Sequence, residues 1–382
     1  MKRRIIPLVT FVLLFILPYI GSLIRWGGKP PGFGDFPAQK VMPEPDFNLT
    51  YFIAACCVAV IILLFLFFPR LFGFKKVSTP APTIPKAPFP AWFWPGTVVC
   101  LLSWFVMWGR IDMMTPMDHY TFVPLWWGFI LFLDGLVYKR TGGKSLIAKQ
   151  PNQMKLLAVV SCVSWFVFEF LNFFVVENWY YPNNEIFTNF GNISWQLLSY
   201  TTVLPAIFEF YFLLNSFHKL KNKYANGPKI SVNKNWQVIA LLLGLALSFF
   251  MGRYPFLLFW VLWVGLIPAL VPAMSLGGFW TPFKPIQEKG NYTPVVLIAL
   301  ATVLNGFFWE LWNFGSEWFH DDIPTNPNYW KYSVPYLDKI HIFSEMPILG
   351  YFGYLFFGIG CWILWVSVAA IFNYDATLDI DK

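Results

Sequence analysis

Long apolar segments limit the folds open to this chain more than any other feature of its sequence. Many of them run for about 17 to 25 residues, the length at which a helix crosses the hydrocarbon core of a bilayer. Of the 382 residues, 57% are hydrophobic and only 12% are charged. Inside a bilayer each segment must satisfy its own backbone hydrogen bonds, which helices do. The sequence therefore predicts an all-α, polytopic membrane protein.

The formal net charge of +7 does not indicate a nucleic-acid partner. In a membrane protein the placement of Lys and Arg along the chain matters more than their sum. Here the basic residues concentrate in alternate loops, which predicts about ten transmembrane helices with both termini in the cytoplasm. We expect a multi-pass protein of the bacterial inner (cytoplasmic) membrane, with the lipid bilayer as its first partner and no nucleic acid.

The first 76 residues are predicted to form a transmembrane hairpin. Its two apolar segments are residues 5–24 and 51–69. Basic residues precede the first segment and follow the second, so both ends of the hairpin are expected in the cytoplasm. Residues 77–90 contain five prolines. Such a segment is predicted to be an extended linker without a helix of its own.

Two four-helix units are predicted to follow, over residues 91–225 and 230–374. The expected helices of the first unit are residues 91–109, 122–138, 156–176 and 194–217. Those of the second unit are residues 236–251, 256–274, 294–314 and 346–372. Because each unit has an even number of helices, both enter the membrane from the same side. We expect parallel repeats related by an axis along the membrane normal.

A Glu-x-x-Asn segment among aromatic residues occurs once in each unit and is the clearest sign of duplication. Glu169 and Asn172 form it in the first unit, and Glu310 and Asn313 form it in the second. An ionisable group in lipid is costly unless it faces protein or water. We therefore expect both segments to face one outward-opening cavity.

Buried acids are the candidate catalytic groups of this chain, namely Glu169, Glu310 and Glu209. Buried carboxyl groups of this kind can act as acids, as proton carriers or as metal ligands. The alternative is that they hold helices together by hydrogen bonds to the nearby asparagines. Asp134, at the end of its helix, is expected to form a structural ion pair with Arg140.

Aromatic residues make up 21% of the chain and flank the acids, where their faces can line a slot for a flat apolar ligand. An isoprenoid, a polyene or a quinone would suit such a slot. With only four histidines, a histidine-rich iron site is not expected; no metal site is predicted, and no cofactor is indicated. The candidate ligand-binding residues are Asn172, Asn313, Trp165, Phe168, Trp309, Trp312 and Tyr351.

One stretch of the chain resembles a known family. Residues 179–182, Trp-Tyr-Tyr-Pro, precede residues 204–209, Leu-Pro-Ala-Ile-Phe-Glu. This order of Trp, loop, Pro and acid is similar to that of the membrane-bound lycopene cyclases of the heterodimeric and fused type. The resemblance covers about residues 165–211 and, less well, 306–356, and it implies repeated helical units. The chain also looks like a bacterial polytopic membrane protein. No catalytic residue is carried over from the cyclases.

The sequence leaves three kinds of function open. The first is a membrane protein that binds an isoprenoid-like or quinone-like ligand, with acid–base modification of that lipid as its activity. The second is a proton-coupled transporter, which would need acids reaching towards both faces of the membrane. The third is a scaffold subunit of a larger membrane complex.

Overall fold

The computed structural model describes residues 2–77, 79–80, 82–318 and 324–381. The regular secondary structure of this part of the chain is helical apart from one short pair of strands. The helices are α1 (Lys2–Trp26), α2 (Leu49–Phe67), α3 (Phe93–Gly109), α4 (Phe122–Arg140), α5 (Leu146–Lys149), α6 (Pro151–Asn172), α7 (Asn189–Tyr200), α8 (Val203–Asn215), α9 (His218–Lys223), α10 (Lys234–Arg253), α11 (Val261–Val264), α12 (Leu266–Leu276), α13 (Lys284–Lys289), α14 (Thr293–Glu317) and α15 (Tyr351–Phe372). The strands are β1 (Trp179–Tyr180) and β2 (Lys331–Tyr332).

Eight stretches of the described chain are long and apolar enough to cross a membrane. They are Arg3–Trp26, Leu49–Phe67, Phe122–Arg140, Pro151–Val175, Asn189–Asn215, Lys234–Arg253, Thr293–Glu317 and Tyr351–Phe372. The all-α, polytopic fold is thus confirmed, and the chain is a membrane-embedded protein. Two shorter apolar stretches, Phe93–Gly109 and Val261–Leu276, lie where two further spans are predicted. A total of ten spans stays a prediction.

Proline explains two differences between the predicted and the observed helix ends. Helix α6 begins at Pro151, earlier than the predicted residue 156, because proline at the first helical position loses no hydrogen bond. Helix α15 begins at Tyr351, later than the predicted residue 346. Pro347 has no N–H, and the residues around it form turns instead of a helix.

Helix α1 packs against α10 and α12 and so belongs to the body of the protein. Helices α1 and α10 cross where each helix has a glycine. A Cβ atom on Gly21 would lie 2.0 Å from the carbonyl oxygen of Phe249, and one on Gly252 would lie 2.0 Å from that of Pro18. Small residues of this kind let helix backbones approach closely in membranes. The two glycines therefore fix α1 against α10.

Helices α6 and α14, which carry the two Glu-x-x-Asn segments, lie inside the bundle. Helix α14 packs against α8 and α15, and α15 in turn packs against α6. The segments that follow α6 and α14 meet in an antiparallel pair of strands, with Trp179 opposite Tyr332. This pairing brings the two halves of the chain together directly beside their acids.

Candidate functional site

Glu169 lies at the centre of a cluster of aromatic hydrogen-bond donors. Its Oε1 accepts the indole N–H of Trp165 at 2.9 Å and that of Trp179 at 3.1 Å. The same oxygen accepts the hydroxyl of Tyr181 at 2.6 Å and that of Tyr200 at 3.1 Å. These donors come from α6, from the strand segment and from the end of α7. Four hydrogen bonds to one oxygen offset part of the cost of burying this group.

Glu310 is held in a similar way by fewer donors. Its Oε1 accepts the hydroxyl groups of Tyr332 and Tyr354, both at 2.6 Å. The Tyr332 hydroxyl also accepts the indole N–H of Trp330 at 2.7 Å and lies 3.1 Å from that of Tyr354. A short polar network thus surrounds each glutamate. We call them the Glu169 cluster and the Glu310 cluster.

The asparagines of the two segments hold the strands and do not contact the acids. The side-chain amide of Asn172 donates to the Trp179 carbonyl at 2.8 Å and accepts the backbone N–H of Asn178 at 2.7 Å. That of Asn313 donates to the Trp330 carbonyl at 2.8 Å and accepts the N–H of the same residue at 3.0 Å. The alternative in which these asparagines bond the buried acids does not fit this geometry, because the asparagines bond backbone groups at the strands instead.

A Trp-x-Tyr triplet follows each Glu-x-x-Asn segment, at residues 179–181 and 330–332. In both triplets the tyrosine donates to the glutamate of its own half at 2.6 Å. The sequence interpretation missed these tyrosines. The repeated triplet is the signal that could have revealed them.

The two clusters differ at the position four residues before the acid. The first half has Trp165 there, which donates to Glu169, whereas the second half has Gly306. A Cβ atom on Gly306 would lie 2.4 Å from the Tyr354 ring. The missing side chain therefore makes room for Tyr354, which replaces a tryptophan as donor.

A cavity of about 700 Å³, counted to its open mouth, lies between the two clusters. The donors of both glutamates form its wall, while the glutamates stand behind them. The cavity is lined by Phe122, Trp165, Trp179, Tyr181, Gln196, Ser199, Tyr200, Thr202, Val203, Trp263, Trp309, Asn328, Trp330, Tyr332, Met346, Tyr354 and Phe357.

Of the aromatic residues singled out from the sequence, Trp165 and Trp309 line this cavity. Phe168 instead packs against Phe357 at a ring distance of 4.9 Å. Trp312 packs against Trp126 at 4.8 Å. The hydroxyl of Tyr351 lies 3.0 Å from that of Ser344. These three therefore support the wall from behind or lie away from it.

Glu209 lies away from both clusters, and its carboxyl group neighbours that of Asp134. Both side chains are fully buried. Asp134 accepts the indole N–H of Trp92 at 2.9 Å, the hydroxyl of Ser145 at 2.8 Å and the backbone N–H of Ile147 at 2.9 Å. Neither carboxyl oxygen of Glu209 has a hydrogen-bond partner among the described residues.

The expected ion pair between Asp134 and Arg140 is not formed. The guanidinium of Arg140 donates to the hydroxyl of Ser216 at 2.8 Å and lies 3.8 Å from the centre of the Phe217 ring. The predicted ion pair was wrong because the partners of Asp134 are uncharged donors from outside α4, namely Trp92, Ser145 and Ile147. The spacing of residues along one helix does not reveal such partners.

Glu177 lies outside the membrane-spanning stretches and is only 1% exposed. Neither of its carboxyl oxygens has a hydrogen-bond partner among the described residues. Burial raises the pKa of Glu177 to about 8, and the nearby charge of Asp35 acts in the same direction. Val176 and Glu177 both have positive φ angles, 55° and 52°, which cost about 1 to 3 kcal/mol each.

The arrangement defines a helical membrane protein with an aromatic cavity between two buried carboxylates. Comparison of the chain with protein families, with curated proteins and with solved structures gives no match. The resemblance to the lycopene cyclases rests on the quoted residues alone.

Proposed function

We propose that this protein binds one isoprenoid-like or quinone-like ligand in the cavity between the Glu169 and Glu310 clusters. The observation that carries the proposal is the composition of the cavity wall. It consists mainly of aromatic rings, and its polar groups are the donors that hold the two carboxylates together with the side chains of Gln196, Ser199, Thr202 and Asn328. Such a wall offers stacking surfaces and a small number of fixed polar contacts, as ligand pockets do.

The proposed architecture is a pair of parallel four-helix repeats within ten spans. The two halves would contribute equivalent parts to the cavity. The matching Glu-x-x-Asn segments, the matching Trp-x-Tyr triplets and the antiparallel pairing of β1 with β2 support this relation. With both termini in the cytoplasm of a bacterial cell, the cavity would lie towards the outer side of the inner membrane.

The proposed activity is acid–base modification of the ligand through the tyrosines. Tyr181 and Tyr200 donate to Glu169, and Tyr332 and Tyr354 donate to Glu310. Each phenol oxygen can accept a proton from a ligand hydroxyl while its own proton passes to the carboxylate. The reverse transfer returns the proton to a different atom of the ligand, so that the net change is a shift of one hydrogen within the ligand. The glutamates would store the proton, and the tyrosines would exchange it with the ligand.

Identification of lipids that remain bound during purification tests the binding proposal. Val203 lines the cavity, whereas Val98 is 52% exposed on α3. Wild type and Val98→Trp are expected to retain one isoprenoid or quinone lipid per chain, detected by mass spectrometry. Val203→Trp should lose it, because an indole fills the cavity. Equal retention by both variants would rule out this cavity, and stoichiometric protein subunits without a lipid would favour the scaffold alternative.

Proton-coupled transport is the second candidate, and the neighbouring carboxyl groups of Asp134 and Glu209 favour it. Such a pair could pass protons deeper into the membrane. Purified protein in vesicles with a pH gradient tests this candidate. Transport predicts substrate-dependent proton flux that Glu209→Gln abolishes, whereas a ligand-modifying protein should show no flux.

A further inference from the structure

A second, larger space lies beside the cavity. Helix α2 forms one side of it, and helices α11 and α15 contribute to the other side. This lateral groove has a volume of about 1520 Å³, counted to its open side, and an almost wholly apolar lining. Along α2 it runs from Tyr51 to Ile62, which is about 17 Å at 1.5 Å per residue. The groove is therefore long and apolar, and its wall is a membrane-spanning helix.

Hydrogen bonds fix helix α2 near both of its ends, and in between Ala55 and Ile62 pack against the body of the protein. Near its start the hydroxyl of Tyr51 donates to the Leu257 carbonyl at 2.9 Å. Near its end the carbonyl of Leu66 accepts the hydroxyl of Tyr224 at 2.7 Å. Of the residues in α2 only Ala59 is buried. Between these anchors the helix lines the lateral groove with residues from Tyr51 to Ile62.

The lateral groove and the cavity adjoin each other. Four side chains line both spaces, namely Trp263, Tyr332, Met346 and Tyr354. Two of these four donate to Glu310. A long molecule that enters from the side of α2 would therefore reach the Glu310 cluster first.

Gly353 keeps the middle of the lateral groove open. It lies in the first turn of α15 and lines the groove. A Cβ atom there would meet only Trp263, at 4.0 Å, so helix packing does not require a glycine. Glycine also weakens a helix relative to alanine. A large side chain at residue 353 would fill this part of the lateral groove.

Gln196 supplies an unpaired donor at the other end. Its side chain lines the cavity and is 2% exposed, and its amide nitrogen has no hydrogen-bond partner among the described residues. A buried donor without a partner is unfavourable. It indicates a ligand that brings an acceptor oxygen into the cavity. A pure hydrocarbon would leave this nitrogen unpaired.

We propose that the ligand is a lipid with a flat, oxygen-bearing ring and a single isoprenoid tail, of the quinone type. Its ring would lie in the cavity with an oxygen on the Gln196 amide, and its tail would lie in the lateral groove past Gly353. This inference rests on the proposed function and narrows its ligand class. An isoprenoid tail gains little free energy by moving from lipid into an apolar groove. The ring would therefore supply most of the binding free energy, and the groove would provide the space that a long tail needs.

Two quinones with the same ring test the tail assignment, one with ten isoprene units and one with none. Binding to the full-length protein in lipid nanodiscs is measured for wild type, Gly353→Phe and Gly353→Ala. Gly353→Phe should weaken binding of the long quinone at least tenfold and leave that of the short one unchanged. Gly353→Ala should bind both as wild type does. Unchanged binding of the long quinone to a folded Gly353→Phe protein would overturn the tail assignment.

A hydrocarbon polyene without oxygen tests the ring assignment. Wild type should bind the short quinone at least tenfold more tightly than the polyene, and Gln196→Leu should remove this preference, because the unpaired donor is gone. A polyene that binds wild type as tightly as the quinone would overturn the ring assignment. If none of the three probes binds wild type, the proposed function itself fails. If the short quinone binds but Gly353→Phe has no effect on the long one, only the lateral groove is wrongly assigned.

Discussion

At the scale of single residues, the two glutamates differ mainly in the number of donors that converge on them. Glu169 Oε1 accepts four hydrogen bonds, and Glu310 Oε1 accepts two. The second oxygen of each group has no partner among the described residues. A glutamine can therefore keep the bonded oxygen and put its NH2 group in the position of the other. An alanine removes the acceptor that these donors share.

Truncation of the two acids should thus destabilise the protein to different extents. We expect Glu310→Ala to lower the free energy of unfolding by roughly 0.6 to 2 kcal/mol, the range for hydrogen bonds between membrane helices. Glu169→Ala should cost about twice as much, because twice as many donors lose their acceptor. Chemical denaturation in detergent measures both, with Glu169→Gln and Glu310→Gln as controls near wild type. Equal losses for the two alanine variants would contradict the observed donor sets.

Glu177 predicts a pH dependence of stability outside the membrane. Its pKa is about 8 in the folded protein and lies near 4.5 in an unfolded chain. Folding therefore favours the protonated form, and stability falls as pH rises from about 4.5 to about 8, by up to about 1.4 kcal/mol per pH unit. The unfolding temperature of wild type should drop between pH 5 and pH 9. In Glu177→Gln the unfolding temperature should change much less over the same pH range. An equally large decrease in the variant would show that another group causes the pH dependence.

At the scale of secondary-structure elements, the short pair of strands connects the two halves. The backbones of β1 and β2 pair with each other. Asn172 also bonds Trp179 in β1, and Asn313 bonds Trp330, the residue directly before β2. The strands in turn present tyrosines to the acids. A four-residue sheet in a loop therefore positions donors for two membrane helices.

A disulfide tests the pairing of these strands. Tyr180 lies opposite Lys331, at the Cα separation of facing antiparallel residues, which is within reach of a disulfide. In a protein whose native cysteines have been replaced, Tyr180→Cys with Lys331→Cys should oxidise readily, as shown by mass spectrometry of linked peptides. Tyr180→Cys with Ser333→Cys is the diagonal control and should react slowly. Preferential oxidation of the control pair would show a different register.

The sequence predicted the helices better than the contacts between them. The apolar segments around Glu169 and Glu310 are long and regular, so their helices could be placed from local composition. The donors on these acids come from residues up to 44 positions away, as for Tyr354, and local periodicity carries no information about such contacts. Gln196 was missed for the same reason, since its proposed role depends on a cavity whose wall comes from many other parts of the chain, from Phe122 to Phe357.

At the scale of the whole molecule, the distribution of basic residues predicts a topology. Reporter fusions after Asn222 and Lys289 should show cytoplasmic activity, and fusions after Asn184 and Asn326 should show activity on the outer side. Alkaline phosphatase and green fluorescent protein report opposite sides and serve as mutual controls. Reversed signals at two of the four positions would be incompatible with parallel repeats.

The two halves of the chain are proposed to hold one ligand between them, and photolabelling tests this most directly. The probe is a quinone with an azide on its ring and a short isoprenoid chain, added to the full-length protein in nanodiscs and mapped by peptide mass spectrometry. We predict labels in residues 196–203 of the first half and in residues 328–332 of the second half, both displaced by excess unlabelled quinone. Labels confined to lipid-facing positions such as residues 98–105, or labels that unlabelled quinone does not displace, would contradict a shared cavity.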